Sequence, residues 1–155
     1  MSGAGKTTLA KKLEQQFSAF RLCGDELISV IIKDRNDRNE LERLRDPVEK
    51  ILWDIAAKLL SLGVSVILDN GFWSREERLK YLRFAKQVRA DVQVVLHYLN
   101  IPSDIIWHRI QQRNLNLPND CFYIGRNELD EWMKWFNPPD IEELKMYDEY
   151  EVHSA

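Results

Sequence analysis

The chain lacks the features that mark secreted, membrane-spanning or repetitive proteins. Its 155 residues include only two cysteines, Cys23 and Cys121, which are too few for a disulfide framework. No apolar run approaches the roughly 20 residues that a membrane-spanning helix needs. The first residues lack the basic and apolar regions of a signal peptide, and no internal repeat or low-complexity tract is present. These absences predict a cytoplasmic protein with free thiols and no membrane span.

The composition is typical of one ordinary globular domain. Hydrophobic residues make up 45% and charged residues 30%, which excludes a disordered or fibrous chain. The formal net charge of −3 gives no indication of a dominant nucleic-acid or membrane-binding surface. A chain of this length buries roughly two-thirds of its unfolded surface. We therefore predict a single domain over residues 1–155, with a monomer favoured.

Strand-like and helix-like segments alternate along the chain, which favours an α/β fold. The clearest strand covers residues 64–69 and is nearly all apolar, as expected for a strand covered on both faces of a parallel sheet. Further strands are predicted at 20–23, 92–99 and 149–154. Helices are predicted at 6–17, 26–33, 47–62, 74–90 and 102–113, and from Asn127 to before Pro138. Residues 34–46 are almost all polar and are predicted to be a surface segment.

The first residues contain the second half of a phosphate-binding loop. Gly5, Lys6 and Thr7 form the end of the P-loop pattern G-x-x-x-x-G-K-[ST]. Glycines let backbone N–H groups curl around phosphate oxygens, and the helix that follows turns its positive end toward the anion. An ordinary helix start is the alternative interpretation. The predicted nucleotide-binding residues are Gly3, Ala4, Gly5, Lys6, Thr7 and Thr8.

Several blocks of sequence, taken in order, resemble one family. They are residues 2–10, 24–26, 66–78, 109–114, 128–130 and 136–139. The chain resembles the small P-loop kinases of the AAA-like ATP-binding family, relatives of polynucleotide 5′-kinase, gluconate kinase, chloramphenicol phosphotransferase and zeta toxins. The resemblance implies a three-layer α/β/α P-loop NTPase fold with a mostly parallel sheet in the order 2-3-1-4-5. It also implies ATP and Mg²⁺ as cofactors.

The resemblance implies roles for the acidic residues that follow two strands. Asp25 would accept or orient the proton of the acceptor hydroxyl. Asp69 would hold Mg²⁺ together with the Thr7 hydroxyl, while Lys6 reaches the β- and γ-phosphates. A helix N-cap is the alternative interpretation for Asp25, and a strand-ending turn is the alternative for Asp69.

Four arginines receive roles from the same resemblance. Arg75 and Arg78 would face the acceptor or its phosphate. Arg109 and Arg113 are four residues apart and share one helix face. They would neutralise charge on the transferred group, and residues 114–127 would follow as a lid-like segment. A solvated helix face is the alternative interpretation for both pairs.

The start of the sequence leads to a further expectation. A complete P-loop pattern would place its first glycine one position before Met1, and the strand that feeds the loop would come earlier still. The sequence therefore predicts an N-terminally shortened chain without strand 1. In such a chain the strands at 64–68 and 92–99 would flank the vacant place and would not be hydrogen-bonded neighbours.

The leading interpretation is a kinase that transfers the γ-phosphoryl group of ATP to a hydroxyl. The acceptor would be a small molecule or, less favoured, a nucleic-acid end. A nucleotide-binding module without transferase activity and a nucleotide hydrolase remain alternatives. The histidines and cysteines are scattered in the sequence, so no transition-metal site is predicted. His97 is expected in the core and His153 at a frayed end.

Overall fold

The computed structural model describes residues 2–34, 37–118 and 121–155, and within them helices and strands alternate. The helices are α1 (Lys6–Phe17), α2 (Gly24–Ile31), α3 (Arg38–Ser61), α4 (Arg75–Val88), α5 (Ser103–Leu115), α6 (Arg126–Trp135) and α7 (Ile141–Leu144). The strands are β1 (Phe20–Leu22), β2 (Val66–Leu68), β3 (Val95–Asn100) and β4 (Glu149–Ser154). The predicted α/β fold is confirmed. Among the described residues, no helix is both long and apolar enough to cross a membrane.

The residues cluster into two compact units. The first unit contains Met1–Lys6, Gly71–Ile110 and Gly125–Ala155, and the second contains Thr7–Asn70 and Gln111–Ile124. In the described residues, β3 pairs with β4 in the first unit and β1 pairs with β2 in the second, and both pairs are parallel. Because β2 and β3 belong to different sheets, they are not hydrogen-bonded neighbours, as predicted. The sheet order 2-3-1-4-5 remains a prediction.

The core of the second unit forms where α2 and α3 cover the β1–β2 pair. Leu22 pairs in register with Leu68, so the two parallel strands end together. Buried apolar side chains from β1, α2 and α3 pack into one cluster, with Val66, Leu68 and Phe122 against it. The buried members are Leu22, Ile28, Ile32, Leu41, Val48, Leu52 and Ala56. The segments that follow β1 and β2 therefore leave the sheet at the same edge.

Helix α3 begins earlier than the sequence predicts. Asp37 is its N-cap, and the Asp37 side chain accepts hydrogen bonds from the backbone N–H groups of Asn39 and Glu40. Pro47 therefore lies inside the helix and not at its start. The predicted surface segment at 34–46 is helical from Arg38 onward, and it is largely exposed except for the buried Leu41. Residues 35 and 36 lie outside the described part of the chain.

Helices α4 and α6 differ in how they begin. The Ser74 hydroxyl accepts a hydrogen bond of 3.1 Å from the backbone N–H of Glu77, as the predicted capping box requires. The Glu77 carboxylate accepts one of 2.8 Å from the N–H of Trp73. The cap predicted for α6 is wrong, because Gly125 is the N-cap and Asn127 already lies in the helix.

Candidate functional site

The candidate phosphate loop combines unusual backbone geometry with a helix start. Gly3 and Gly5 have φ angles of 79° and 99°, a region that L side chains rarely adopt, and Ala4 between them is buried. The loop leads directly into α1, whose first turn contains Lys6 and no carboxylate. No acidic side chain of that turn therefore compensates the positive end of the helix. Such a helix start favours an anion.

Gly3 packs so closely on α5 that a larger residue would not fit. A Cβ atom at Gly3 would lie 2.9 Å from Ile110 Cγ1 and 3.1 Å from the backbone oxygen of Ile106. The second neighbour is backbone, which cannot move aside as the end of a side chain can. The conformation of the loop therefore depends on glycine here for both space and φ angle.

Replacing Gly3 by Ser is expected to lower the free energy of unfolding by about 1–3 kcal/mol, because it overpacks the contact with α5. Urea unfolding monitored by circular dichroism measures this. Gly125→Ser is the matched control, since Gly125 has a φ of −81° and no described atom within 4 Å of the added Cβ. The control should stay within about 0.5 kcal/mol of the unmodified chain. Equal stabilities for the two variants would contradict the tight packing.

Arg109 lies beside the phosphate loop. Its Nη1 donates a hydrogen bond of 3.3 Å to the backbone oxygen of Ala4. The same nitrogen is 4.0 Å from the position that a Cβ would occupy at Gly5. The guanidinium has five N–H donors, and this contact uses one of them. Of the two arginines predicted on α5, Arg109 is thus the one that the structure places against the loop.

Arg113 has a different partner. Its Nη2 donates to the backbone oxygen of Phe122 at 3.2 Å, and the neighbouring Asn114 amide donates to the oxygen of Ile124 at 2.8 Å. Phe122 packs against the core of the second unit, and Ile124 is buried. These contacts fasten part of the predicted lid-like segment to the end of α5. Residues 119 and 120 of that segment lie outside the described residues.

The two candidate site carboxylates follow paired strands. Asp69 comes directly after β2, and its backbone N–H donates to the oxygen of Leu22 in β1 at 2.8 Å. The Asn70 side-chain oxygen accepts a hydrogen bond of 3.3 Å from the N–H of Gly24. These contacts tie together the segments that carry Asp69 and Asp25 at one edge of the sheet. In open α/β sheets, this carboxyl edge is where ligands bind.

Asp25 is the second residue of α2 and is exposed. The N-cap of that helix is Cys23, so the alternative interpretation of Asp25 as an N-cap is wrong. An acidic residue in the first turn still interacts favourably with the helix dipole. The Asp25 carboxylate is therefore open to solvent at the end of a strand.

Asp69 is buried and forms an ion pair with Arg21, an arginine that the sequence analysis does not identify. Its Oδ2 accepts a hydrogen bond of 3.1 Å from Arg21 Nη1, and Arg21 also donates two bonds of 2.7 and 2.8 Å to Glu26. No described residue hydrogen-bonds to the buried Oδ1 of Asp69. The sequence does contain a signal for this ion pair: Arg21 lies within the apolar predicted strand 20–23, where a charged side chain needs a partner of opposite charge.

Cys23, the N-cap of α2, is buried. Burial raises the pKa of the Cys23 thiol to about 11; a backbone hydrogen bond with Glu26 opposes this, and the charges of Asp69, Asp25 and Glu26 each add a smaller increase. Cys23 is therefore a protonated thiol at neutral pH, which excludes it as a nucleophile there.

The donor set at Asp69 fits Mg²⁺. A buried carboxylate oxygen without a hydrogen bond is costly, at about 1–3 kcal/mol or more, and a cation or its bound water would satisfy it. The other predicted ligand, Thr7, lies in the first turn of α1 and would contribute a hydroxyl. Carboxylate and hydroxyl oxygens are the hard ligands that Mg²⁺ prefers.

Arg75 and Arg78 both pair with acidic residues near the C-terminus. Arg78 is buried and donates two hydrogen bonds, of 2.6 and 2.8 Å, to the carboxylate of Glu143. Arg75 donates from Nη1 to Asp140 at 3.0 Å on the surface. Their contacts with a substrate remain a prediction. The observed pairs favour a structural role, most strongly for Arg78.

Comparison with known proteins assigns the chain to a family. The family model described as an AAA domain matches residues 1–139. Since the match covers most of the chain, the protein belongs to this family of P-loop domains, which implies nucleotide binding. Among curated proteins, no match is found.

A solved structure is similar over nearly the whole chain. It is a crystal structure from Chloroflexus aurantiacus of a protein described as a "putative kinase". The TM-score is 0.76, with 97% of this chain and 82% of that chain covered. The sequence identity is 18%, so the likeness shows the fold and not a substrate. It agrees with the α/β P-loop fold that the sequence predicts.

Proposed function

We propose that this protein is an ATP-dependent phosphotransferase that moves the γ-phosphoryl group of ATP to a hydroxyl of a small molecule. A nucleic-acid end is a less favoured acceptor, and the proposal includes a cytoplasmic location and a monomeric state. The observation that carries the proposal is the glycine loop before α1. Its two positive φ angles and the carboxylate-free helix start with Lys6 form a cradle for an anion.

Asp25 is proposed to act on the acceptor. The acceptor oxygen attacks the γ-phosphorus, and the bond between that phosphorus and the oxygen bridging to the β-phosphate breaks. ADP leaves with that oxygen and its electron pair, and the hydroxyl proton passes to the Asp25 carboxylate. The exposure of Asp25 supports this role, because a general base must be reachable by the acceptor.

Asp69 and Thr7 are proposed to hold Mg²⁺, which would neutralise charge on the phosphate oxygens when bound. Asp69 Oδ1 is assigned to this role because Arg21 already donates to Oδ2. Arg21 would therefore hold the carboxylate in one orientation. The pairing of Arg21 with Glu26 keeps the guanidinium in place.

Arg109 is proposed as the arginine that neutralises charge developing on the transferred group. Its contact with Ala4 supports this role, because it brings a cation to the backbone of the phosphate loop. Arg113 is proposed instead to position the segment that contains Phe122. Arg78 is proposed to stabilise the fold through Glu143.

A nucleotide-binding module without transferase activity is the second candidate function. The observation that favours it is the ion pair between Arg21 and Asp69, which already neutralises the carboxylate that would hold Mg²⁺. A module of this kind would bind nucleotide through the same loop. It would not need the exposed carboxylate of Asp25.

Lys6→Ala is expected to abolish stabilisation by nucleotide. At 100 times its dissociation constant, Mg-ATP should stabilise the unmodified chain by about 2.7 kcal/mol. The variant loses the cation that pairs with the phosphates, so its melting temperature should hardly change on adding Mg-ATP. Lys12→Ala is the matched control, because Lys12 is an exposed lysine of the same helix. An unchanged ATP-induced shift in Lys6→Ala would rule out the loop assignment.

A transfer screen with γ-labelled ATP separates the candidate functions. The acceptors are sugars, nucleosides and oligonucleotides with a 5′-hydroxyl. Label on one acceptor class supports the phosphotransferase and identifies its substrate class. Label released only as inorganic phosphate supports a hydrolase. Stabilisation by ATP with neither product contradicts the proposal and favours the binding module.

A further inference from the structure

The structure brings together three side chains that are scattered in the sequence. Strands β3 and β4 pair in parallel with His97 opposite Glu151 and Leu99 opposite His153. Because side chains alternate between faces along a strand, Glu151 and His153 lie on the same face as His97. Two histidines that are far apart in the sequence are therefore brought together by the pairing of β3 with β4.

One side-chain nitrogen or oxygen atom of each residue lies at a corner of a small triangle. His97 Nδ1 lies 3.1 Å from His153 Nε2, and Glu151 Oε2 lies 3.4 Å from each of these nitrogens. Ligand atoms around a tetrahedral ion with bonds of about 2.0–2.1 Å are about 3.3 Å apart. The observed distances thus match three of the four corners of a tetrahedral metal site.

We propose that His97, Glu151 and His153 form a binding site for a divalent transition-metal ion, with Zn²⁺ as the expected occupant. Two imidazoles and one carboxylate are a donor set that suits Zn²⁺ and other first-row ions. Imidazole nitrogen does not suit Mg²⁺, so this site differs in chemistry from the one proposed at Asp69. Nothing in the proposed kinase function requires it.

A direct hydrogen bond between the two imidazoles explains less of the geometry. One N–H···N bond would account for the distance of 3.1 Å between the two nitrogens. The carboxylate oxygen lies 3.4 Å from both nitrogens, where it would form an ion pair with whichever imidazole is protonated. A single shared ion would account for all three distances together.

The exposure of the cluster leaves one coordination position accessible. The side chains of His97 and His153 are 21% and 29% exposed, and that of Glu151 is 64% exposed. Three protein ligands with an open fourth position would let a water molecule complete the tetrahedron.

The ion would join β4 to β3. Its ligands come from both strands, and β4 is the last strand that the structure describes. An ion that binds only the folded chain stabilises it by mass action. Zn²⁺ is therefore expected to raise the melting temperature without any nucleotide present.

The test uses the purified full chain with ZnCl₂ alone, and competition with a chromogenic chelator measures the affinity. We expect one ion per chain at this site, with binding weakened at least about tenfold in His97→Gln, Glu151→Gln and His153→Gln. Glu151→Gln is the variant least expected to disturb folding, because the Glu151 side chain is largely exposed. Visible absorption with Co²⁺ in place of Zn²⁺ should show the intense bands of tetrahedral coordination, and these should disappear in the variants.

Two matched controls separate this site from adventitious binding. His108→Gln removes the remaining histidine, which is exposed on α5, and Glu149→Gln removes a neighbouring exposed carboxylate of β4. Both should bind Zn²⁺ like the unmodified chain. Failure of the unmodified chain to bind, or equal binding by the three ligand variants, would overturn the proposal. Because no nucleotide is present, either result leaves the proposed phosphotransferase activity unaffected.

Discussion

Asp25→Asn is expected to reduce phosphoryl transfer by roughly 10²-fold or more, a typical contribution of a general base. The substitution keeps the size of the side chain but removes the group that accepts the hydroxyl proton. Binding of ATP should be retained, because the phosphate loop is unchanged. Steady-state transfer to the acceptor found by screening, together with ATP-induced thermal shifts, measures both quantities.

Asp104→Asn is the matched control for this experiment. Asp104 is, like Asp25, an exposed acidic residue at the second position of a helix. Both substitutions remove the same favourable interaction with a helix dipole, about 0.3–1 kcal/mol. The two variants should therefore be similar in stability and very different in transfer rate. Normal turnover by Asp25→Asn would show that Asp25 only stabilises the start of α2.

The sequence predicts best where a local pattern determines the structure. Helix α1 and strand β4 have the predicted bounds, because helical spacing and a β-rich run need no distant partner. The cap at Ser74 and Glu77 is likewise set by two side chains three positions apart. The conformation of residues 3–6 likewise depends on consecutive residues, because Gly3 and Gly5 permit its positive φ angles, and the phosphate-binding role of the loop stays a prediction.

Local patterns fail where polar residues conceal a packing face. Residues 34–46 look like a surface segment, yet Leu41 is buried in the core against α2. With Val48 and Leu52 it forms one apolar stripe on a helix that begins before Pro47. A proline is usually a helix boundary, so the sequence places the start at Pro47. The buried contacts of Leu41 and the cap at Asp37 outweigh the hydrogen bond that Pro47 removes.

Contacts between distant residues cannot be predicted from spacing. Arg21 and Asp69 are 48 positions apart, and their ion pair depends on the register of β1 with β2. His97 and Glu151 meet only because β3 pairs with β4 in one particular register. A shift of one residue would turn either cluster to opposite faces of its sheet. The sequence therefore identifies Asp69 as a candidate site residue but not the arginine that orients it.

Among the ion pairs described above, the pair of Arg78 with Glu143 is expected to affect the free energy of unfolding most when one partner is replaced. Their side chains are 4% and 1% exposed, and two hydrogen bonds of 2.6 and 2.8 Å join them. Arg78 Nη1 also approaches the backbone oxygen of Phe72 at 3.5 Å. The nearby Tyr147 is also buried, and burial, followed by the charge of Glu143, raises its pKa to about 12.

Glu143→Gln is therefore expected to lower the free energy of unfolding by about 3–5 kcal/mol, because it leaves the Arg78 charge buried without a counter-ion. This is a large part of the total stability of a domain, about 5–15 kcal/mol. Urea unfolding midpoints measure the loss. Asp140→Asn is the control: it breaks the pair with Arg75, whose side chain is 43% exposed, and it should cost about 1 kcal/mol or less.

A double replacement distinguishes a structural role of Arg78 from contact with the acceptor. Arg78→Met combined with Glu143→Leu removes both buried charges, and such exchanges are often neutral or stabilising. We expect the double variant to recover most of the stability that Glu143→Gln loses. If Arg78 only holds α4 to α7, the double variant should also keep the KM for the acceptor. A stable double variant with a strongly raised KM would instead show that Arg78 contacts the acceptor, as the family resemblance implies.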